Sequence, residues 1–330
     1  MTSKSPADFR LLNDEEYPTV GQSVPSDIYI HLPRAERFVR YVCAGDVWDE
    51  SRESVFRKHS NQKLFINIGG DIPVPPLSSQ QTAPPEIQVF NDTVGKELDD
   101  LFRSVASASE ENAAQTIAAM ESLSQKIIEV VAPDVANLRE NIIQQSKYIM
   151  VMTDAAAITS IAIMIAMAHG FDSRKIFRDL SMGILLMDAP LSELPEVVVI
   201  KYYQDRSTLT NLEWEEIRRH PAHAHELVSS KLKTVPTSVL QLILNHHELY
   251  NSKGYPRQIR NESLPPIVRS LCLAVDVFEV MKRENLNGRE IDMLTALTEL
   301  KEATIEPHLR RHNQKLVSQA IQYISTTPTT

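Results

Sequence analysis

Residues 236–256 read Pro236-Thr-Ser-Val-Leu-Gln-Leu-Ile-Leu-Asn-His-His-Glu-Leu-Tyr-Asn-Ser-Lys-Gly-Tyr-Pro256. Proline suits the first turn of a helix, so a helix is predicted from Pro236 to about Glu248. Val239, Leu242, Ile243 and His246 fall at i, i+3, i+4 and i+7 and share one face. His246 therefore points where the apolar side chains point. His247 lies about a third of a turn away. Both imidazoles reach one metal only if it sits between their directions; a pair of partly exposed histidines would need no metal.

Three more polar residues stand in apolar surroundings. Asp276 interrupts Leu271-Cys-Leu-Ala-Val275 and Val277-Phe278. A buried carboxylate there needs a partner, either a metal or an Arg or Lys from another helix. Asp188 follows Gly183-Ile-Leu-Leu-Met187, where it could also simply end a helix before Pro190. His220 closes Glu215-Glu-Ile-Arg-Arg-His-Pro221, and a histidine at a helix C-terminus interacts well with the helix dipole without further function.

Around these residues the chain reads as a string of helices. Ala113–Val131 places Ile117, Met120, Leu123, Ile127 and Val131 near a 3.6-residue period. Residues 134–170 resume as two further helices, and 176–187 form an apolar one. Thr210 and Glu213 make a capping box opening a helix over 212–220, which is expected to stop at Pro221. Pro265 and Pro266 open another, to about Arg283. Residues 1–20 are polar and read as a disordered tail. Residues 21–70 form a small α/β module, with strands over 27–32, 37–42 and 63–68 and a helix over 49–58. Residues 71–90, rich in proline, serine and glutamine, read as a linker. Residues 91–150 are a helical connector, and 151–325 the main helical domain.

The 330 residues allow two domains. A net charge of -9 and a pI of about 5.6 exclude broad non-specific binding to nucleic acid. The two cysteines, Cys43 and Cys272, read as buried free thiols. The first ten residues lack an apolar core, and the longest apolar run, 158–168, is too short for a bilayer, so a cytoplasmic protein without membrane contact is expected.

In order and spacing, His246-His-Glu248, Gly254-Tyr-Pro256 and Asp276, preceded by Leu209-Thr-Asn-Leu-Glu-Trp-Glu-Glu-Ile-Arg-Arg-His-Pro221, resemble the HD-GYP family. The resemblance covers roughly residues 153–324. It implies a mainly α, all-helical HD-domain-like phosphohydrolase fold following the small N-terminal α/β module, and metal-dependent hydrolysis of cyclic di-GMP. By position, His220, His246 and His247 match three ligands of one metal. Asp188 matches the bridging, catalytic aspartate of the His-Asp pair, and Asp276 a ligand of the other metal. Gly254, Tyr255 and Pro256 match the segment beside the substrate.

The departures bear on activity. Met187 stands where the family has the histidine of the His-Asp pair, Pro190 where it has glycine, and Leu191 where it has lysine. Only Asp154 answers the family's early-helix histidine, and Asn285-Leu-Asn-Gly288 replaces an Arg-Pro-Tyr-Arg type segment. Two-metal hydrolysis needs one metal to activate water and one to neutralise phosphate charge, and a thioether is a poor ligand for such ions. The expectation is a degenerate member of cyclic di-GMP signalling. It would carry one iron, manganese or zinc per chain, have weak or absent phosphodiesterase activity, and act as a ligand-binding or protein-interaction module. Cyclic di-GMP or a related phosphorylated small molecule, a signalling protein and a second copy of the chain are the expected partners. Two other readings stay open: an active phosphodiesterase holding its second metal through Asp188, Asp276 and Asp154, and a metal-free helical dimerisation domain.

Overall fold

A computed structural model of the protein describes residues 9–13, 16–32, 37–42, 47–48, 64–67, 85–132, 152–286, 289–302 and 311–326. The chain divides into two compact units, residues 1–79 with 194–210, and residues 80–193 with 211–330.

The first unit holds an antiparallel sheet of strands β1 (Phe9–Leu11), β2 (Ile28–Leu32), β3 (Arg37–Val42) and β4 (Leu64–Asn67), in the order β1-β4-β2-β3. Ile28 of β2 pairs with Ile66 of β4 and, across a bulge, with Val42 of β3. These are β-branched and aromatic-rich segments, which fit a pleated, half-buried surface. Ile28, Tyr29, Val42, Trp48 and Leu64 are buried. Strand β1 falls inside the stretch expected to be a loose tail. Its Phe-Arg-Leu is too short to show a period, but Phe9 gains an edge-to-face contact with Tyr29 at 5.0 Å, and each of the three residues pairs with one on β4. The expected helix over 49–58 and Cys43 lie outside the described residues.

Ten α-helices are described: α1 (Pro85–Ala106), α2 (Ala113–Val131), α3 (Asp154–Ala168), α4 (Arg174–Met187), α5 (Glu196–Gln204), α6 (Asn211–Lys231), α7 (Thr237–Asn245), α8 (Pro266–Leu286), α9 (Met293–Glu302) and α10 (Gln314–Ser325). Helix α5 belongs to the first unit, although residues 194–210 were expected inside the helical domain. There Arg206 lays its guanidinium over the Tyr202 ring at 4.2 Å and donates Nε–H to the Tyr202 carbonyl.

Helix α3 is the axis of the second unit. Every residue from Ala155 to Ala166 is buried, as expected of a helix that is apolar all round. Thr153 caps it, its Oγ1 accepting from the Ala156 N–H at 3.4 Å. Helices α2, α4, α8 and α10 pack against it. Among the described residues no helix is long and apolar enough to cross a membrane.

Three sequence expectations differ from the structure here. The connector, 91–150, is not a separate element where it is described: α2 buries Met120, Leu123, Ile127, Ile128 and Val131 within the helical unit, packed on α3 and α4. Helix α1 also begins at Pro85, inside the expected linker, with proline at a first-turn position that loses no hydrogen bond. And α6 does not stop at Pro221 but runs on to Lys231. Proline costs a helix one backbone bond, and burial of Ile217, His220, Pro221, Ala224 and Val228 on one face outweighs it.

Helices α4 and α7 cross closely at Gly183. A Cβ there would stand 2.9 Å from Cβ of Leu242. Gly183→Val is therefore expected to cost about 1–3 kcal/mol through overpacking, little of it offset by helix propensity. Urea unfolding measures it; an unchanged midpoint would mean that the crossing relaxes freely.

Candidate metal centre

The histidine pocket is built from two helix ends and one helix interior. Asp188 caps the C-terminus of α4, where Ala189-Pro190 turns the chain into a 3-10 segment, Ala189–Glu193. His246 caps α7, and His247 follows it. His220 lies inside α6, one residue before Pro221. One ligand atom from each of these four residues lies within 4.8 Å of the others. His220, His246 and His247 are buried.

Two backbone carbonyls determine how the imidazoles point. Nδ1 of His220 donates to the Ile217 carbonyl at 2.6 Å. That carbonyl is free to accept because the residue four positions on is Pro221, which has no N–H. Nδ1 of His246 donates to the Ile243 carbonyl at 2.8 Å, one of the last carbonyls of α7, which have no intrahelical donor. A carbonyl only accepts, so each Nδ1 carries the proton and each Nε2 a lone pair.

Those lone pairs meet. The Nε2 atoms of His220 and His246 stand 2.9 Å apart, and Oδ1 of Asp188 is 3.2 Å from the first and 3.5 Å from the second. Oδ1 is buried with no hydrogen-bond donor. Three electron-rich atoms facing one another need a positive charge among them, either an extra proton or a metal cation. Burial pushes His220 below its ordinary value, against the upward pull of Asp188, which disfavours the extra proton. Burial also works against the Asp188 carboxylate, but the contacts with His220 and His246 outweigh it and hold the carboxyl well below the usual range. Those two directions favour a neutral His220 and an ionised Asp188, the protonation states a divalent cation needs of such groups. Ligands about 2.0–2.1 Å from a tetrahedral ion lie about 3.3 Å from one another, close to the spacings of Asp188, His220 and His246.

Glu248 organises the far wall. It is fully buried, and its Oε1 and Oε2 accept the backbone N–H groups of Arg257 at 2.6 Å and Ile259 at 3.1 Å. Burial raises its affinity for a proton, and those N–H groups pull the other way. This clamp returns the 249–256 loop so tightly that a Cβ on Gly254 would lie 2.4 Å from the His247 carbonyl oxygen, which explains the glycine. The Tyr255 N–H donates to that same carbonyl at 3.1 Å, and its ring stacks on His247 at 4.6 Å. Pro256 follows through a cis peptide bond. Gly254, Tyr255 and Pro256 thus form a lip beside the histidines.

Asp276 and Asp154 lie elsewhere. Both oxygens of Asp276 are taken by protein cations: Oδ2 accepts from Arg311 Nε at 2.7 Å and faces His312 Nε2 at 2.6 Å, while Oδ1 accepts from Arg311 Nη2. Of the two partners that the sequence left open, metal or cation, the structure supplies the cation. Burial opposes ionisation of Asp276, and the charges and hydrogen bonds of Arg311 and His312 outweigh it, so the carboxyl stays well below the usual range. Asp154 pairs with Lys282 of α8. Neither carboxylate belongs to the histidine cluster. Met187 and Leu191 are buried.

Some residues of the site had not been singled out from sequence. Glu279 is buried, with Oε1 4.0 Å from Nδ1 of His247. It follows Asp276 by three positions on α8, a same-face spacing that could have found it. Arg311 and His312 carry no local signal, because they reach Asp276 from 35 and 36 residues away.

A family model described as HD domain matches residues 137–309. The cyclic di-GMP phosphodiesterase response regulator RpfG of Xanthomonas campestris pv. campestris (strain 8004) is 33% identical over 104 residues, 30% of this chain and 26% of the relative. The match therefore spans about a quarter of that relative. Among solved structures, Bd1817, an HDGYP protein from Bdellovibrio bacteriovorus, is similar at a TM-score of 0.42 and 14% identity, over 97% of this chain and 100% of that one.

Two outcomes follow from this geometry. Asp276→Asn should cost about 3 kcal/mol, the low end for a broken buried pair because Arg311 is 38% exposed, and the loss should be the same with and without chelator. Thermal melts decide it; a loss confined to metal-loaded protein would make Asp276 a ligand. Pro221→Ala returns to α6 an N–H aimed at the Ile217 carbonyl, in competition with His220. The variant should fold at least as stably yet bind zinc about tenfold more weakly in chelator-buffered titrations, as for loss of other groups that orient a ligand. Unchanged zinc affinity would show that the carbonyl serves both donors.

Proposed function

The chain belongs to the HD domain family, as one of its HD-GYP members, and on that premise we propose a cyclic di-GMP-signalling protein that holds one divalent metal and hydrolyses the dinucleotide slowly or not at all. It acts by binding cyclic di-GMP, or a related phosphorylated small molecule, and passing that state to a partner. Asp188, His220, His246 and His247 would hold the metal.

The observation that carries this reading is the contrast between two carboxylates. Asp188 lies with three histidines and has an oxygen without a donor, whereas Asp276 is already neutralised by Arg311 and His312. One centre has the donors and the unsatisfied charge that call for a cation, and the other has its cation built in. Bound metal of the first kind would polarise a phosphoryl oxygen or lower the pKa of a water. The chain's own residues prepare the place: the Ile217 and Ile243 carbonyls orient the imidazoles, Glu248 holds the loop, and Tyr255 closes one side.

Turnover has less support. Met187 and Leu191 put buried apolar groups where the family has an imidazole and a lysine, and Asp276 and Asp154 are committed to protein cations. A second metal would then lack ligands, and the leaving charge would lack its lysine.

Cyclic di-GMP hydrolysis by the purified chain should stay far below the roughly one turnover per second of ordinary enzymes, while equilibrium dialysis detects binding. Met187→His with Leu191→Lys should raise hydrolysis together more than either change alone, because such groups act as a unit. Wild-type turnover at about one per second or faster would overturn the reading; so would absence of binding.

A further inference from the structure

We propose that Arg218 is the phosphoryl-recognition residue of this pocket, supplying from α6 the positive charge that Leu191 and Asn285 do not. The inference deepens the reading of the site as a receptor for a phosphorylated small molecule and rests on it.

Arg218 is half-buried, two residues before His220 on α6. Its guanidinium carbon stands 5.7 Å from the centre of the Trp214 ring and 5.9 Å from that of Tyr255. Tyr255 is the ring that stacks on His247 at 4.6 Å and meets the His220 ring edge-on at 6.1 Å. One aromatic side chain thus touches the charge on one side and the histidine cluster on the other. Trp214 meets Tyr255 edge-on at 6.2 Å and completes the platform.

What this cation lacks is an acceptor. Its Nε is buried without a hydrogen-bond partner, and among the described residues no carboxylate pairs with it. The chain has 43 acidic residues and a net charge of -9, so an arginine has many carboxylates to choose from. Glu215 sits three positions earlier on the same helix, at a spacing that commonly forms an ion pair, yet the guanidinium lies on the rings instead. A guanidinium carries five N–H donors, and ring faces satisfy none of them as an oxygen would. A planar fork of donors, lying beside two aromatic rings at the edge of the histidine pocket, matches two oxygens of a phosphoryl group.

The test uses the full chain, with cyclic di-GMP and inorganic phosphate as probes, in Arg218→Gln, Arg218→Lys and a control, Arg219→Gln, at the exposed neighbouring position. Titration calorimetry should show Arg218→Gln binding cyclic di-GMP at least tenfold more weakly, Arg218→Lys intermediate, and Arg219→Gln as wild type. Bound metal and melting temperature should not change. Equal affinity of Arg218→Gln and wild type for cyclic di-GMP overturns the inference and leaves the receptor reading standing. If wild type binds no cyclic di-GMP, the receptor reading falls, and phosphate decides: binding lost in Arg218→Gln supports the inference, while phosphate binding that is absent from wild type or unchanged in the variant overturns it. Should Arg218→Gln fail to fold, Arg218→Lys alone decides, since it keeps the charge but loses the fork: unchanged affinity rules out the bidentate contact.

Discussion

Two hydrogen bonds from imidazole to backbone carry the pocket: His220 Nδ1 to the Ile217 carbonyl and His246 Nδ1 to the Ile243 carbonyl. Each uses a carbonyl that its helix cannot satisfy, one freed by Pro221 and the other by the end of α7. The proton on Nδ1 leaves Nε2 bare, and helix packing then brings the two bare nitrogens to 2.9 Å of each other beside the Asp188 oxygen. What a helix loses by housing a proline is thereby converted into the orientation of the His220 imidazole. The arrangement stores an electrostatic conflict that a cation relieves, so the second unit is expected to be more stable with metal than without.

Asp276 shows the opposite solution to the same problem. It is as deeply buried as the histidines, and its charge is balanced by Arg311 and His312. The Tyr250 N–H donates to the Arg311 carbonyl at 2.7 Å, so this pair also ties the start of the 249–256 loop to the segment before α10. Here a protein cation holds the fold together at one end of the loop while Glu248 holds the other. Tyr255 is presented to His247 by both, and Arg218 reaches Tyr255 from α6. The loop beside the histidines is thus pinned at both ends, by Glu248 through Arg257 and Ile259 and by Tyr250 through Arg311.

Much of this was legible in the sequence. The apolar face of Val239, Leu242 and Ile243 carried His246 inward, and the structure buries all four. Helix α2 spans the expected residues and buries Met120, Leu123, Ile127 and Val131 of its period, and Asp188, His220, His246 and His247 lie together. Three things were hidden. Strand β1 is held by long-range pairing that three residues cannot announce. Pro221 stops helices as a rule, and only the tertiary burial of its face lets α6 continue. The partner of Asp276 was a matter of which distant side chain arrives, and Arg311 and His312 come from 35 and 36 residues away, further than any local period reaches. Local pattern reports which way a side chain faces, not what meets it there.

We propose a mononuclear centre in which three imidazoles and one carboxylate surround the ion. X-ray absorption at the metal edge, on protein loaded with zinc or manganese and freed of excess metal, tests it most directly. The account predicts a first shell of nitrogen and oxygen with imidazole scattering from three rings, ligands near 2.0–2.2 Å for zinc, and no metal–metal distance. A metal–metal vector near 3.5–4 Å, or a shell without imidazole, would contradict it.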